Sequence, residues 1–338
     1  MNVIEVSNLS KKYKVAIRES GLKNALKSFF KKKYKEVKAV DNISFKIKRG
    51  EIVGYIGPNG AGKSTTIKML TGILKPDEGK IVSLGMDPSI DRVEYVKNIG
   101  VVFGQKSQLW WDIPAEDSFD LLKEIYKIPD KLYDDNKNEL VKILKLEEII
   151  KKPVRQLSLG ERMKCELVAS LLHNPEILFL DEPTIGLDAV SKVTVRNFIK
   201  EINKRRNVTI ILTTHDMVDI ESLTDRLIII GKGKMLYDGS MKDIKKKYQT
   251  SKIIEIYYKR INGLPKIKNA QIVENNAGVI KIKIDSRVVS SSKIIEEYSK
   301  VCDITDVNMY EENIDDIICK LYEELNVWGF ILQNLNWD

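Results

Sequence analysis

The stretch Gly57-Pro58-Asn59-Gly60-Ala61-Gly62-Lys63-Ser64-Thr65 decides how the rest of this chain is read. It fits the phosphate-loop pattern GxxxxGK[ST], with Gly57, Gly62, Lys63 and Ser64 at the specified places. Its flanks fit too: Glu51–Ile56 reads as a short buried strand, and Ser64–Leu70 opens a helix that stops at Gly72. Glycines let the backbone curl so that successive N–H groups point at phosphate oxygens, and the following helix adds the positive end of its dipole. In such a loop Lys63 neutralises the β and γ phosphates and the Ser64 hydroxyl ligates Mg²⁺. A nucleotide triphosphate is therefore the expected ligand.

Working outward, Val3–Ser7 and Ile43–Ile47 alternate as strands do. After the phosphate-loop helix come a turn at Pro76–Gly79, a strand at Lys80–Leu84 and an apolar run at Ile99–Phe103. The segment GQKSQLWWDIP follows, then helical periodicity over Glu116–Tyr126 and Asn138–Ile150, so a helical insertion separates the phosphate loop from the next strand. That strand, Ile177–Leu180, runs into Asp181 and Glu182, and another, Val208–Leu212, ends at Thr213, Thr214 and His215. Leu227–Ile230 and Met235–Tyr237 read as a closing hairpin.

Asp181 lies 118 residues after Lys63 at a strand end, where a carboxylate can hold Mg²⁺ through its water shell. Glu182 beside it is placed to polarise an attacking water, although an acidic pair at a strand end can also cap a helix. Ser158 and Glu161, in Leu157–Glu161 (LSLGE), have capping-box spacing ahead of a helical run. The free N–H groups at such a helix start are also an anion site, suited to a γ-phosphate.

These motifs together resemble the nucleotide-binding subunit of an ABC transporter, over about residues 1–240. The resemblance implies an α/β phosphate-loop NTPase cassette, a mixed-sheet core with a helical subdomain. By it, Gly57–Thr65 is the Walker A loop and Gln105 the glutamine that touches Mg²⁺ and the attacking water. Ser158, Leu159, Gly160 and Glu161 belong to the signature, which acts on a second subunit's ATP. Asp181 is the Walker B magnesium carboxylate, Glu182 the general base, Asp188 the D-loop aspartate and His215 the switch histidine at the γ-phosphate. His173 matches no motif. The family's signature usually reads LSGGQ; Leu159 and Glu161 depart from it, while Ser158 and Gly160 are kept. LSLGE, the double tryptophan and the insertion near residue 20 are most similar to the antibiotic and toxic-cation export branch, including viologen exporter ATPases. For the aromatic that stacks on adenine, Tyr13 is favoured, with Tyr34 as the alternative.

The resemblance implies ATP and Mg²⁺, integral membrane permease subunits, a second cassette (a homodimer being the simpler arrangement) and a peripheral place on the cytoplasmic face of the cell membrane. The alternative is a soluble ABC ATPase acting on nucleic acid or the ribosome. The long coiled coil, zinc CxxC pairs and second cassette that mark such proteins are not found in the sequence, so no nucleic acid is expected.

Composition agrees: 338 residues, 43% hydrophobic and 31% charged, suit one large domain plus a small one. No run approaches the roughly 20 apolar residues of a membrane span, and MNVIEVSNLS does not read as a signal peptide. Three scattered cysteines suggest neither a disulfide framework nor a zinc site. The net charge of +8 is concentrated between Lys11 and Lys38, where eleven basic residues stand against two glutamates. Within that segment Leu22, Ala25, Leu26, Phe29 and Phe30 recur at helical spacing. Two readings stand: a basic amphipathic helix on a membrane surface, or a surface helix packed on its own domain. The expected boundaries are 1–245 for the cassette, with a basic insertion at about 15–37 and a helical subdomain at about 105–172, then 250–325 for a small α+β domain and 326–338 for a tail.

Overall fold

The computed structural model describes residues 1–17, 33–104 and 106–324. The amphipathic pattern from Leu22 to Phe30, Gln105 and the tail from Trp328 lie outside the described residues. The chain divides into two compact units, Met1–Gly239 and Ser240–Asp338.

In the first unit β1 (Asn2–Ile17) and β2 (Lys33–Lys48) pair antiparallel from Asn2↔Lys48 to Ile17↔Lys33, and β4 (Glu78–Ser83) adds to the other edge of β1. Both long strands run on into the basic segment, so its flanks form a ribbon. Beneath this small sheet lies a six-stranded one, in the order β5-β6-β7-β3-β8-β9, built from β3 (Ile52–Ile56), β5 (Ile99–Phe103), β6 (Ile177–Asp181), β7 (Thr209–Thr213), β8 (Arg226–Gly231) and β9 (Lys234–Ser240). The pairs among β5, β6, β7, β3 and β8 are parallel. Their near-continuous Ile, Leu and Val runs are what a strand covered on both faces requires. β9 follows β8 through Lys232 and Gly233, both at positive φ, the conformation of a tight hairpin turn. Phe45, Tyr55, Ile67, Tyr95 and Phe179 share one buried core between the two sheets and α1 (Lys63–Leu70).

The helical region holds α3 (Ala115–Tyr126), α4 (Asp130–Leu144) and α5 (Leu159–Leu171), with α2 (Arg92–Val96) ahead of β5. The periodicity over Asn138–Ile150 predicts a helix eight residues later than α4 begins. Pro129 stands at its N-cap, and Lys145 at φ 54° ends it, its N–H donating to the Lys142 carbonyl while the Leu146 N–H donates to that of Val141. The polar run around Asp134 to Asn138 hides the first two turns, whose inward side is carried by Tyr133 and Asn136. The unit is completed by α6 (Ala189–Arg206) and α7 (Met217–Leu223).

The second unit opens with α8 (Met241–Tyr248). Its antiparallel sheet has the order β11-β12-β10-β13, from β10 (Ser251–Ile261), β11 (Ala270–Asn276), β12 (Val279–Asp285) and β13 (Cys302–Glu311). On β12 Ile280, Ile282 and Ile284 are buried while the alternate Lys281 and Lys283 are not. The isoleucines pack with Ile294 and Tyr298 of α9 (Ser291–Ser299). A last helix, α10 (Ile314–Glu324), closes the unit. Strand β13 escapes a reading of the sequence because its Asp and Asn residues interrupt the apolar alternation. Among the described residues no helix is long and apolar enough to cross a membrane.

Candidate functional site

The carboxyl ends of parallel strands are where an open α/β sheet leaves room for a ligand, and the motif residues gather there. β3 ends at Ile56 and passes directly into the phosphate loop. Gly62, the N-cap of α1, sits at φ 106°, and a Cβ there would lie 2.2 Å from the Ala39 carbonyl oxygen, so only glycine fits. Lys63 follows as the first residue of α1. Its Nζ donates to the Gly57 carbonyl at 2.6 Å and the Pro58 carbonyl at 3.3 Å, and lies 3.3 Å from His215 Nε2. Burial pulls the Lys63 ammonium below its ordinary 10.5, against the pull of Glu182 and Asp181.

β6 and β7 are in register at Asp181↔Thr213. The Thr213 hydroxyl donates to Asp181 Oδ1, and the Glu182 N–H donates to the Thr213 carbonyl at 2.9 Å. Glu182 has φ +56°, a conformation disfavoured for a side chain-bearing residue and often met at functional sites. Its Oε1 lies 3.1 Å from His215 Nε2. Burial, then the nearby Lys63 charge, holds the half-exposed His215 imidazole below 6.5. Neutral His215 has one proton and one lone pair to offer, so its Nε2 can accept from Lys63 or donate to Glu182, but not both.

Two clefts meet at these residues. One, of about 350 Å³, is lined by Tyr13, Ala39, the whole run Pro58 to Thr65, and Glu182. The other, of about 270 Å³, is lined by Ser64, Lys68, Ile73, Phe103, Gly104, Lys106, Asp181 and Glu182. Ser64 and Glu182 are common to both. Tyr13 thus stands at the mouth of the phosphate-loop cleft, whereas Tyr34, 56% exposed, does not line it. Among the described residues there is no cluster of three or more His, Cys, Asp or Glu able to cage a metal. A hydroxyl and a carboxylate on one cleft instead suit Mg²⁺, which keeps waters and substrate phosphates as its remaining ligands.

Ser158, Leu159, Gly160 and Glu161 line neither cleft. Ser158 caps α5: its N–H donates to Glu161 Oε2 at 2.8 Å and its Oγ accepts from the Glu161 N–H at 3.2 Å. The bond from the Ser158 N–H holds the Glu161 carboxyl below its ordinary range. Leu159 lies against Gly186, where an added Cβ would come 2.9 Å from Leu159 Cδ2, so the departure from the common signature is accommodated by a glycine in the next loop. Asp188 caps α6 by accepting from the Ser191 N–H at 2.9 Å and hydroxyl at 2.6 Å. Gly160 faces this pair.

Sequence reasoning missed Asp219. It is fully buried on α7, accepts from the Thr184 and Thr214 hydroxyls, and pairs with Arg196 of α6. Thr184 lies two residues after Glu182 and Thr214 immediately before His215, so one carboxylate holds both loops. The adjacent threonines before His215 were the only signal. His173 lies away from the clefts described above, stacked on Tyr126 with centroids 4.2 Å apart.

The ABC transporter family model matches residues 40–185. The chain is 32% identical over 229 residues to the ABC transporter ATP-binding protein NatA of Bacillus subtilis, covering 68% of this chain and 92% of NatA. It is 30% identical over 308 residues to the bacitracin transport ATP-binding protein BcrA of Bacillus licheniformis, covering 86% of this chain and 94% of BcrA. Among solved structures, the ATP-binding cassette MJ0796, a dimer in a post-hydrolysis state with ADP and Pi, superposes with a TM-score of 0.58 at 25% identity, over 70% of this chain and 98% of MJ0796.

Proposed function

We propose that this chain, which belongs to the ABC transporter family as one of its ATP-binding subunits, hydrolyses ATP to ADP and phosphate and uses the cycle to drive export through separate membrane permease subunits. The observation that carries this reading is the meeting of the two clefts at Ser64 and Glu182, with the signature residues lining neither. A phosphate site furnished with lysine, hydroxyl and carboxylates but lacking its signature is half of a composite site. The other half comes from a second cassette facing the first head to tail, and a second copy of this chain is the simplest source.

In that arrangement Tyr13 stacks on the base and the N–H groups from Gly57 to Thr65 cradle the phosphates, while Lys63 leaves its carbonyl partners for the β and γ oxygens. Mg²⁺ bound with ATP supplies charge neutralisation between the phosphates, and Ser64 and Asp181 would hold it. Glu182 accepts the proton of the attacking water. His215, neutral and able to serve only one of its two neighbours, turns its Nε2 from Glu182 toward the γ-phosphate. Ser158 and the N–H groups opening α5 meet the partner's γ-phosphate only while it is attached, so hydrolysis removes the contact that favours the closed dimer.

The groove between α3 and α4, lined by Ile113, Leu121 and Tyr133 among Asp117, Asp120 and Asp134, is a suitable seat for a permease segment. A peripheral place on the cytoplasmic face follows, and the exposed lysines of the β1–β2 ribbon suit contact with anionic lipid. Bacitracin in the name of BcrA, together with the export-type signature, favours a toxic or antibiotic cargo. The test is to express the tagged Glu182→Gln chain in its native cells and identify what copurifies from gently solubilised membranes. Stoichiometric multi-span membrane proteins support the reading; ribosomes or nucleic acid without them overturn it.

A further inference from the structure

Glu166, in the middle of α5, is 3% exposed, and the donors that satisfy it come from the segment just after residue 105. The Ser107 hydroxyl donates to its Oε1 and the Gln108 N–H to its Oε2 at 3.2 Å. The Gln108 side-chain amide donates to the Glu166 main-chain carbonyl at 3.1 Å, and the Leu109 N–H donates to Ser107 Oγ at 3.1 Å. Burying a carboxylate costs far more than burying the leucines around it, and the cost is offset only while these donors stay in place. Further contacts tie the same segment to the approach to α5. The Arg155 N–H donates to the Trp111 carbonyl at 2.9 Å, the Val154 N–H donates to the Ile113 carbonyl at 3.0 Å, and the Arg162 guanidinium lies 5.9 Å from the Trp111 ring.

One end of this assembly touches the chain's own phosphate site, because Lys106, next to Ser107, lines the cleft with Ser64, Asp181 and Glu182. The other end is Ser158 at the start of α5, eight residues before Glu166 or about 12 Å along the helix axis. We propose that Glu166 is a positioning residue that locks the Lys106–Ile113 segment to α5, so that events in one chain's phosphate cleft set where that chain presents its signature to the partner's ATP. The inference rests on the proposed function, in which two cassettes close head to tail. Trp111 adds a second tie to the same strap, through its carbonyl and its ring.

The test uses the full chain carrying Glu182→Gln, with and without Glu166→Gln or Ser107→Ala. ATP affinity of the monomer is measured with a fluorescent ATP analogue, dimer fraction by light scattering against ATP, and folding by thermal melting. Glu166→Gln removes the charge and turns an amide N–H toward Ser107 or Gln108, a contact that only a reoriented Ser107 hydroxyl could accept, whereas Ser107→Ala removes that donor outright. The expected result is ATP affinity within about twofold and a lowered melt that still leaves the chain folded at the assay temperature, but ATP-driven dimerisation weakened by about tenfold or more, the scale of one lost charged hydrogen bond. Dimerisation unchanged in both variants overturns the inference. Should Glu166→Gln fail to fold, Ser107→Ala, which leaves the carboxylate in place, decides alone by the same measure. If the Glu182→Gln chain itself does not dimerise with ATP, the head-to-tail reading fails and this inference falls with it.

Discussion

His215 Nε2 lies 3.1 Å from Glu182 Oε1, across the ends of two neighbouring strands. The same nitrogen lies 3.3 Å from Lys63 Nζ. Both neighbours thus converge on a single imidazole nitrogen, which can accept from Lys63 or donate to Glu182 but not do both at once.

Glu182→Gln keeps the size and the hydrogen-bonding reach of the side chain but not its basicity. Removal of a general base of this kind lowers turnover by about 10²- to 10⁴-fold. ATP binding should persist, because Lys63 and the loop amides are untouched. Parallel measurement of phosphate release and nucleotide affinity separates the two; a loss of affinity comparable to the loss of turnover would deny Glu182 this role.

Tyr13 and Tyr34 can be told apart directly. Tyr13 lines the phosphate-loop cleft, while Tyr34 pairs across the ribbon with Ala16, three register steps further from the site. Tyr13→Ala should weaken ATP binding by about 1–3 kcal/mol, and Tyr34→Ala should leave it nearly unchanged. Equilibrium titration of each variant checks this, and the reverse ranking would move the adenine to the far end of the ribbon.

Asp219→Ala removes a fully buried partner from Arg196 and frees the Thr184 and Thr214 hydroxyls. Breaking a buried pair on one side costs about 3–5 kcal/mol, read from urea unfolding. Asp216 remains 3.5 Å from Arg196 and offsets part of this, so the low end is expected. Turnover should fall further than stability accounts for, since Glu182 and His215 each lose an anchor. A variant that is destabilised yet fully active under native conditions would reduce Asp219 to a packing role.

Acidification should destabilise the first unit through His173. Its Nε2–H donates to the Ile99 carbonyl at 2.9 Å, its Nδ1 is buried without a partner, and burial holds its pKa below 6.5. The folded state therefore binds fewer protons than the unfolded chain between the lowered pKa and 6.5, and stability falls as pH drops through that window. The slope for one such group is at most about 1.4 kcal/mol per pH unit. Urea unfolding of the wild type against His173→Gln across this range should show a shallower dependence in the variant; equal slopes would exclude His173 as the source.

The phosphate loop, the Asp181–Glu182 pair, the capping box at Ser158 and the strand leading to His215 were all legible in the sequence. Each is a local device whose residue types and spacing are dictated by backbone geometry or by contact with one phosphate. The parallel strands were legible for a similar reason, since burial on both faces demands unbroken apolar runs. What only the tertiary structure decided is which distant residues share a charge. Asp219 and Glu166 read in the sequence as ordinary polar positions of amphipathic helices, yet each is buried and satisfied by donors from 35 and 59 residues away. That Tyr13 lines the phosphate-loop cleft and Tyr34 does not was likewise a matter of how β1 and β2 pair and where they meet the loop. Short-range patterns record what a segment needs of its own backbone; the partner that makes a buried carboxylate tolerable is set by the packing of the whole chain.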